Sequence, residues 1–422
     1  MALVIRNDRG ILGGNIQLPA SKSISNRLLM IRAIAGEYFP ILRISSSSDT
    51  VRLQTLIESN ELELDVRDAG TTFRFLTALL ASGDREHILT GNDRMKQRPI
   101  RFLVEALRTL GADIQYLERE GYAPLHIRGK KLNGGEIEID GSVSSQFISA
   151  LMLIAPTLKG GLHIRITGHM VSVPYILMTM RIMEKFGVQV TRNDQDFIIP
   201  ESSYEVRPIE VEPDWSAASY WYEAVALSRE AEIFFPDLVF PSWQGDSVLP
   251  LLMKTFGVET SIRSNGVNIR KNPGKKLHRK FVYNFREHPD LFPALAGTCA
   301  GLRMESEFSG LDTLRIKESD RVLVLREELE KLGSRWQLNA EMKTAQQDNP
   351  FGELSNSFIP EQSIPRFFSH QDHRIAMSLA PLCLRFGPVI IEEEHVVGKS
   401  YPGYWDDLLQ SGFNLERERG LR

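Results

Sequence analysis

Cations that sit beside small polar residues, just where the chain turns into an apolar helical stretch, are the residues here that could do chemistry. Lys22 and Ser23 follow the strand-like NIQLP, and Arg27 falls about one helical turn beyond Ser23 on the same face. Both cations can then meet one phosphate. In DAGTTFR, Gly70 permits a close backbone approach to a ligand and Arg74 lies one turn in. RMKQRPI, residues 94–100, gathers Arg94, Lys96, Gln97 and Arg98, and Pro99 restricts Arg98 to an extended backbone suited to a fixed, forked guanidinium. LRIKESDRV places Lys317, Glu318 and Arg321 on what reads as one helical edge, and HQDHR offers Arg374 beside His373. Near the other end, GKSYPG puts Lys399 after a glycine. Such a set suits oxyanions. Asp290 and Glu318 are the acid–base candidates.

Every one of these clusters also has a plainer reading. Helix starts are ordinarily capped by Ser, Thr or Asp, charge runs are usually solvated, and Asp290 in HPDLFPALA has the look of an N-cap. His370 and His373 stand three apart, as metal ligands can, but no third ligand cluster accompanies them and Arg374 would repel a cation. Neither Cys299 nor Cys383 lies in a basic, polar loop that would lower a thiol pKa. There is no G-x-x-x-x-G-K-[ST] loop and no G-x-G-x-x-G after a strand, so nucleotide chemistry has no support.

The elements that position these residues repeat. Six polar-to-apolar junctions begin at Ser21, Ala69, Ser142, Pro213, His288 and His370, roughly 50 to 80 residues apart. Between them recurs a helix that ends in glycine and gives way to an alternating strand, at Gly111, Gly187, Gly257 and Gly333. The unit reads as helix, helix and short strands. Six such units must pack on one another, yet 422 residues exceed one core, so two groups of three are expected, with a crossing near residues 204–214. Residues 341–368 read as short strands with a surface excursion.

Composition excludes several classes. Hydrophobic residues are 42% and charged residues 25% of the chain, as in ordinary globular proteins. With 50 basic against 54 acidic residues the net charge is −4, so no global field draws the chain to nucleic acid or anionic membranes. Two cysteines are too few for a disulfide framework and fit a reducing compartment. The longest uncharged stretch, from Gly141 to Leu158, is too short in apolar residues to span a bilayer, and MALVIRNDRG has no apolar signal core. A cytoplasmic protein is expected, and a monomer, since no coiled-coil pattern appears.

LPASKSISNR, DAGTTFR, RMKQRPI, GSVSSQF, VSVPY, the aspartate of HPD, RIKESDR, DHR and GKSYP occur in this order along nearly the whole chain. In that series the sequence closely resembles the 3-phosphoshikimate 1-carboxyvinyltransferase, or EPSP synthase, family. The resemblance implies an α/β fold of two lobes, each an inside-out α/β prism of three repeats, with the active site in the cleft between them. It implies a discontinuous first lobe of residues 1–19 plus 212–422 and a second lobe of residues 20–211. The reaction implied is transfer of the carboxyvinyl group of phosphoenolpyruvate to the 5-hydroxyl of 3-phosphoshikimate, with release of phosphate and without metal or organic cofactor. Carried over by position, Lys22, Ser23, Arg27, Ser144, Ser145, Gln146, Ser172, Tyr175, Asp290, Thr313 and Lys317 would hold 3-phosphoshikimate. Lys22, Gly70, Arg98, Gln146, Arg321, Arg374 and Lys399 would hold phosphoenolpyruvate. Asp290, Glu318 and Lys22 would move the protons. Fixed cations would offset the repulsion of two multiply charged substrates and align them, and lobe closure would exclude water.

Four positions depart from the commonest family pattern: Ala20 for glycine, Asp68 for asparagine, Phe75 for proline and Thr313 for asparagine. Thr313 puts one substrate hydrogen bond in question, and Asp68 adds a negative charge near an anion site. The sister family that uses UDP-N-acetylglucosamine as acceptor usually carries an asparagine after the first lysine and a loop cysteine. Here Ser23 follows Lys22, and RMKQRP has no cysteine. A non-catalytic anion-binding protein on the same scaffold would have no need of Lys22, Asp290 and Glu318 together.

Overall fold

The structure, a computed structural model, describes residues 2–142, 144–339, 343–348 and 364–418. Contacts divide the chain into a first unit, residues 1–19 and 212–422, and a second unit, residues 20–211. Each holds three buried helices that pack on one another. In the second unit these are α1 (Lys22–Ala35), α2 (Gly70–Ala81) and α3 (Ser145–Ile154). In the first they are α4 (Trp215–Leu227), α5 (Phe292–Gly301) and α6 (His373–Leu379). All six begin at the junctions read from the sequence. Their burial follows from their composition: FPALAGTCAG in α5 is apolar or small on every face, and all ten residues are buried.

A common topology surrounds them. Strand Glu63–Asp65 lies parallel to Glu86–Thr90 with α2 as the connection, and Leu125–Arg128 and Asp113–Tyr116 continue that sheet antiparallel. The same order recurs around α3 with Asn133–Asp140 and Lys159–Thr167, and around α5 with Lys280–Asn284 and Glu305–Ser309. Outer helices such as Arg101–Thr109 and Arg321–Glu330 feed the antiparallel strands. Gly111, Gly187, Gly257 and Gly333, at the ends of these outer segments, all take positive φ.

Two repeats are split along the chain. Ile11–Asn15 runs parallel to Glu230–Pro236 across α4, so the second unit is an insertion between a strand and its own helix. Ile209–Glu210 likewise pairs in parallel with Ile41–Leu42 beyond α1. The strand Ala2–Arg6 sits between Val389–Glu392 and Asn414–Arg417, fastening both ends of the chain into the first unit. Of the excursion expected at 341–368, Thr344–Asp348 and Arg366–Phe367 are strands, and residues 341, 342 and 349–363 lie outside the described residues. Among the described residues no helix is long and apolar enough to cross a membrane.

One core residue conflicts with its surroundings. Glu223 of α4 is fully buried, neither carboxylate oxygen has a hydrogen-bond partner among the described residues, and a side chain on the neighbouring Gly297 of α5 would collide with it. Burial therefore raises its pKa well above the ordinary 4.5. The folded state keeps a proton that the unfolded chain releases, so stability falls as pH climbs above that ordinary value. Glu223→Gln removes the loss. Its melting temperature is expected to exceed that of the unsubstituted chain by a margin that widens from pH 5 to pH 8, reflecting about 1.4 kcal/mol per pH unit over the range in which the carboxyl stays protonated. Scanning calorimetry across that range would refute the reading if the two melting curves stayed parallel.

Candidate active site

In the second unit the starts of the buried helices bring their polar residues together. Lys22 is the first residue of α1, and its Nζ donates to Asp49 Oδ2 at 2.9 Å. Arg27, 2% exposed, donates to the Ser23 carbonyl at 2.9 Å, Thr179 Oγ1 at 2.7 Å, Ser149 Oγ at 3.1 Å and the Tyr175 carbonyl at 3.1 Å. Desolvation lowers its pKa to about 10. Within the protein, Lys22 and Arg27 have different partners. Arg27 ties α1 to α3 and to the helix Val173–Lys185, whose N-cap Ser172 takes a left-handed backbone, φ 55°.

Gly70 opens α2 in a cradle of two guanidiniums. A Cβ there would come within 2.6 Å of Arg98 Nη2 and 2.7 Å of Arg74 Nη1, so glycine alone leaves both arginines their places beside the helix start. Arg74 donates to the Gly70 carbonyl at 2.8 Å, and Arg98 has the extended backbone, ψ 126°, that Pro99 requires. Both are buried, whereas Lys96 of the same basic run pairs with Glu118 at the surface. Ser144 caps α3 by accepting from the Gln146 N–H at 3.3 Å, Ser145 is buried as its first residue, and Gln146 Nε2 donates to Thr71 Oγ1 at 3.1 Å. Phe75 lies fully buried with the Arg27 guanidinium 5.6 Å from its ring centre. A cation over an aromatic face is attracted to it, so this departure adds support to Arg27.

The first unit carries the acids. Asp290 is not an N-cap: it sits in a three-ten turn, Pro289–Leu291, and accepts from Arg321 Nη1 at 3.0 Å and Arg374 Nη2 at 2.8 Å. Arg321 also reaches Glu318 Oε2 at 2.8 Å and Asp372 Oδ2 at 2.8 Å. The expectation of one helical edge for Lys317, Glu318 and Arg321 is corrected. Asp320 caps the outer helix by accepting from the Leu323 N–H, so Arg321 is its first residue and Lys317 is extended before it. Glu318 meets Arg321 by doubling back across this turn. Thr313 lies in the three-ten turn Asp312–Ile316, and Lys399 ends another, Glu394–Lys399; both are largely buried. Arg374 additionally donates to Tyr220 Oη at 3.3 Å, and His370 pairs with Glu328 at 2.9 Å.

The sequence reading missed two carboxylates that organise these cations. Asp372, 0% exposed, binds Arg321, accepts from Ser319 Oγ and caps α6 through the Arg374 N–H. Its place in HQDHR, directly before an apolar helix, was the available signal. Asp49 has the weaker signal of an acid in the first turn of the helix Ser48–Ile57. Such an array can hold oxyanions on forked guanidiniums, with two carboxylates, Asp290 and Glu318, within reach of the same arginine.

Comparison with known proteins gives a consistent picture. The family model for EPSP synthase (3-phosphoshikimate 1-carboxyvinyltransferase) matches residues 41–408. A 3-phosphoshikimate 1-carboxyvinyltransferase from Bacteroides fragilis is 43% identical over 406 residues, covering 95% of this chain and 96% of its own. One from Vibrio cholerae is 32% identical over 429 residues, covering 95% and 97%. Two solved structures of EPSP synthase from Acinetobacter baumannii superpose with TM-scores of 0.76 and 0.77 at 20% and 21% identity, over 99% of this chain and 100% of theirs.

Proposed function

Because this chain belongs to the EPSP synthase family, the 3-phosphoshikimate 1-carboxyvinyltransferases, we propose that its clustered cations and carboxylates are the machinery of that family's reaction. The reaction transfers the carboxyvinyl group of phosphoenolpyruvate to the 5-hydroxyl of 3-phosphoshikimate, giving 5-enolpyruvylshikimate 3-phosphate and phosphate on the route to chorismate and aromatic amino acids. Lys22, Ser23, Arg27, Ser144, Ser145, Gln146, Ser172, Tyr175, Asp290, Thr313 and Lys317 hold 3-phosphoshikimate. Lys22, Gly70, Arg98, Gln146, Arg321, Arg374 and Lys399 hold phosphoenolpyruvate.

The chemistry divides into two proton transfers around one new C–O bond. Asp290 accepts the proton of the 5-hydroxyl as that oxygen attacks the phosphate-bearing carbon of phosphoenolpyruvate, while Glu318 and Lys22 supply a proton to the methylene carbon. The resulting tetrahedral adduct then loses phosphate and the methyl proton, restoring the double bond. No metal or organic cofactor takes part, and the protein works as a cytoplasmic monomer. The observation that carries this reading is Asp290 held between Arg321 and Arg374. An arriving carboxylate or phosphate competes for those guanidiniums and frees the Asp290 oxygens for the hydroxyl.

The test is phosphate release from phosphoenolpyruvate by chelator-treated enzyme, with 3-phosphoshikimate, with UDP-N-acetylglucosamine, or with neither. Release is expected with 3-phosphoshikimate alone. Release that needs a divalent metal, or that occurs with the other acceptor, contradicts the proposal.

A further inference from the structure

The segment from Phe368 to Asp372, beside the Arg321 network, is gripped from two sides. The outer helix Arg321–Glu330 presents Arg321 and Glu328 on one face, about two turns apart. Arg321 takes Asp372, while Glu328, 2% exposed, accepts from the Phe368 N–H at 3.0 Å and pairs with His370 Nε2 at 2.9 Å. From the other side Glu393 accepts from Ser369 Oγ at 2.6 Å, from the Gln371 N–H at 3.3 Å and from the Gln371 side-chain amide. Successive residues thus answer alternately to Glu328 and Glu393, and the last to Arg321.

The grip holds a backbone that would otherwise relax. His370 and Gln371 take φ of 51° and 58°, a left-handed pair that costs free energy outside glycine. This turn delivers Asp372, which accepts from Arg321 Nε at 2.8 Å and from the Arg374 N–H at 3.0 Å, and Glu393 directly precedes the turn that ends in Lys399. The segment therefore joins the elements that carry Arg321, Arg374 and Lys399. The charges facing His370 are Glu328, Glu327 and Lys331 of the outer helix, with Glu393 holding its two neighbours from the other side. The Glu328 hydrogen bond raises the His370 pKa above the ordinary 6.5, against burial. Burial works to raise Glu328, but its bonds to His370, Lys331 and the Phe368 N–H outweigh that and hold it below 4.5, so it is ionised wherever His370 titrates.

We propose that Glu328 and His370 are positioning residues for phosphoenolpyruvate, a charge-assisted latch that holds the left-handed turn and so keeps Arg321 and Arg374 aimed together. This rests on those two arginines holding phosphoenolpyruvate. The pair touches no substrate and acts through the turn. With the imidazole protonated its bond to the carboxylate is charge-assisted, and with the imidazole neutral it is an ordinary, weaker hydrogen bond. Because the folded-state pKa of His370 lies above its unfolded value, the latch is complete below pH 6.5 and slackens as pH rises through the raised value.

The experiment measures KM for phosphoenolpyruvate and kcat by phosphate release from the full chain at saturating 3-phosphoshikimate, from about pH 6 to about pH 9, with imidazole NMR alongside. His370→Asn is the decisive variant, because asparagine accepts a left-handed backbone but is too short to reach Glu328 as the imidazole does. Its KM should exceed that of the unsubstituted enzyme by about three- to tenfold at the acid end, with kcat within about threefold. The KM ratio, in which the substrate's own ionisation cancels, should then fall as the NMR titration of His370 is passed. Glu328→Gln should raise KM as well, and the double substitution should add little to either alone. His370 is partly exposed, so His370→Asn decides the matter should Glu328→Gln fail to fold. A KM ratio that does not change with pH, or a kcat that falls in step with the melting temperature, overturns the latch. Absence of release by the unsubstituted enzyme is a separate failure, which removes the phosphoenolpyruvate reading and the role of the latch with it.

Discussion

Arg321→Met should lower the melting temperature of the first unit by roughly 6 to 20 °C, the equivalent of about 3–5 kcal/mol in a domain of this size. Arg321 is 1% exposed and is the shared partner of Asp290, Glu318 and Asp372, the last with no exposed side-chain surface. A methionine fills similar space but leaves Asp372 buried without its ion pair and returns Glu318 to repulsion from its neighbours. The loss is a large fraction of the 5–15 kcal/mol that holds a typical domain folded. Because the cost arises from the stranded carboxylate, Arg321→Met combined with Asp372→Asn should be more stable than Arg321→Met alone. Calorimetric melts of the three proteins check this. Strict additivity would place the cost in lost packing and not in charge. Arg321→Lys keeps the charge but cannot fork to three acids, and should fall between.

The same network shows what could be read from the sequence and what could not. The six buried helices announce themselves because each is a largely apolar stretch that follows directly on a polar cluster; that signal is local. The glycines that end the outer helices are local too. Strand partnerships are not: Ile11–Asn15 pairs with Glu230–Pro236, and Ala2–Arg6 with Val389–Glu392, across most of the chain, and nothing in those short segments names a distant partner. Ion pairs behave likewise. The spacing from Glu318 to Arg321 is visible, but Asp372 lies 51 residues from Arg321 and Asp49 lies 27 from Lys22, and only the fold brings them together. LRIKESDRV misled because its charges fit helical spacing, while Asp320 is a strong N-cap that starts the helix one residue later. Burial of an acid is the hardest feature to foresee. Glu223 stands in WSAASYWYEAVAL, whose apolar neighbours mark a buried helix but do not foretell an acid left there without a hydrogen bond.

Asp290→Asn should reduce kcat for phosphate release by about 10²- to 10⁴-fold, the usual contribution of a positioned general base. Asparagine has nearly the same shape and can still accept from one of the two guanidiniums, but it cannot take up a proton. Affinity for 3-phosphoshikimate, measured by calorimetry, should stay within about tenfold, because the residues proposed to bind its phosphate are untouched and a neutral side chain removes one repulsion from an anionic ligand. The split between the two measurements carries the argument. Arg321 and Arg374 would be freed from a carboxylate in this variant, so tighter binding of phosphoenolpyruvate alongside slower turnover is the expected signature of a base that also restrains the cations. A residue with only a structural role would instead weaken both substrates and lower the melting temperature in step. Turnover at the level of the unsubstituted enzyme would remove Asp290 from the chemistry and leave Glu318 as the carboxylate to test next.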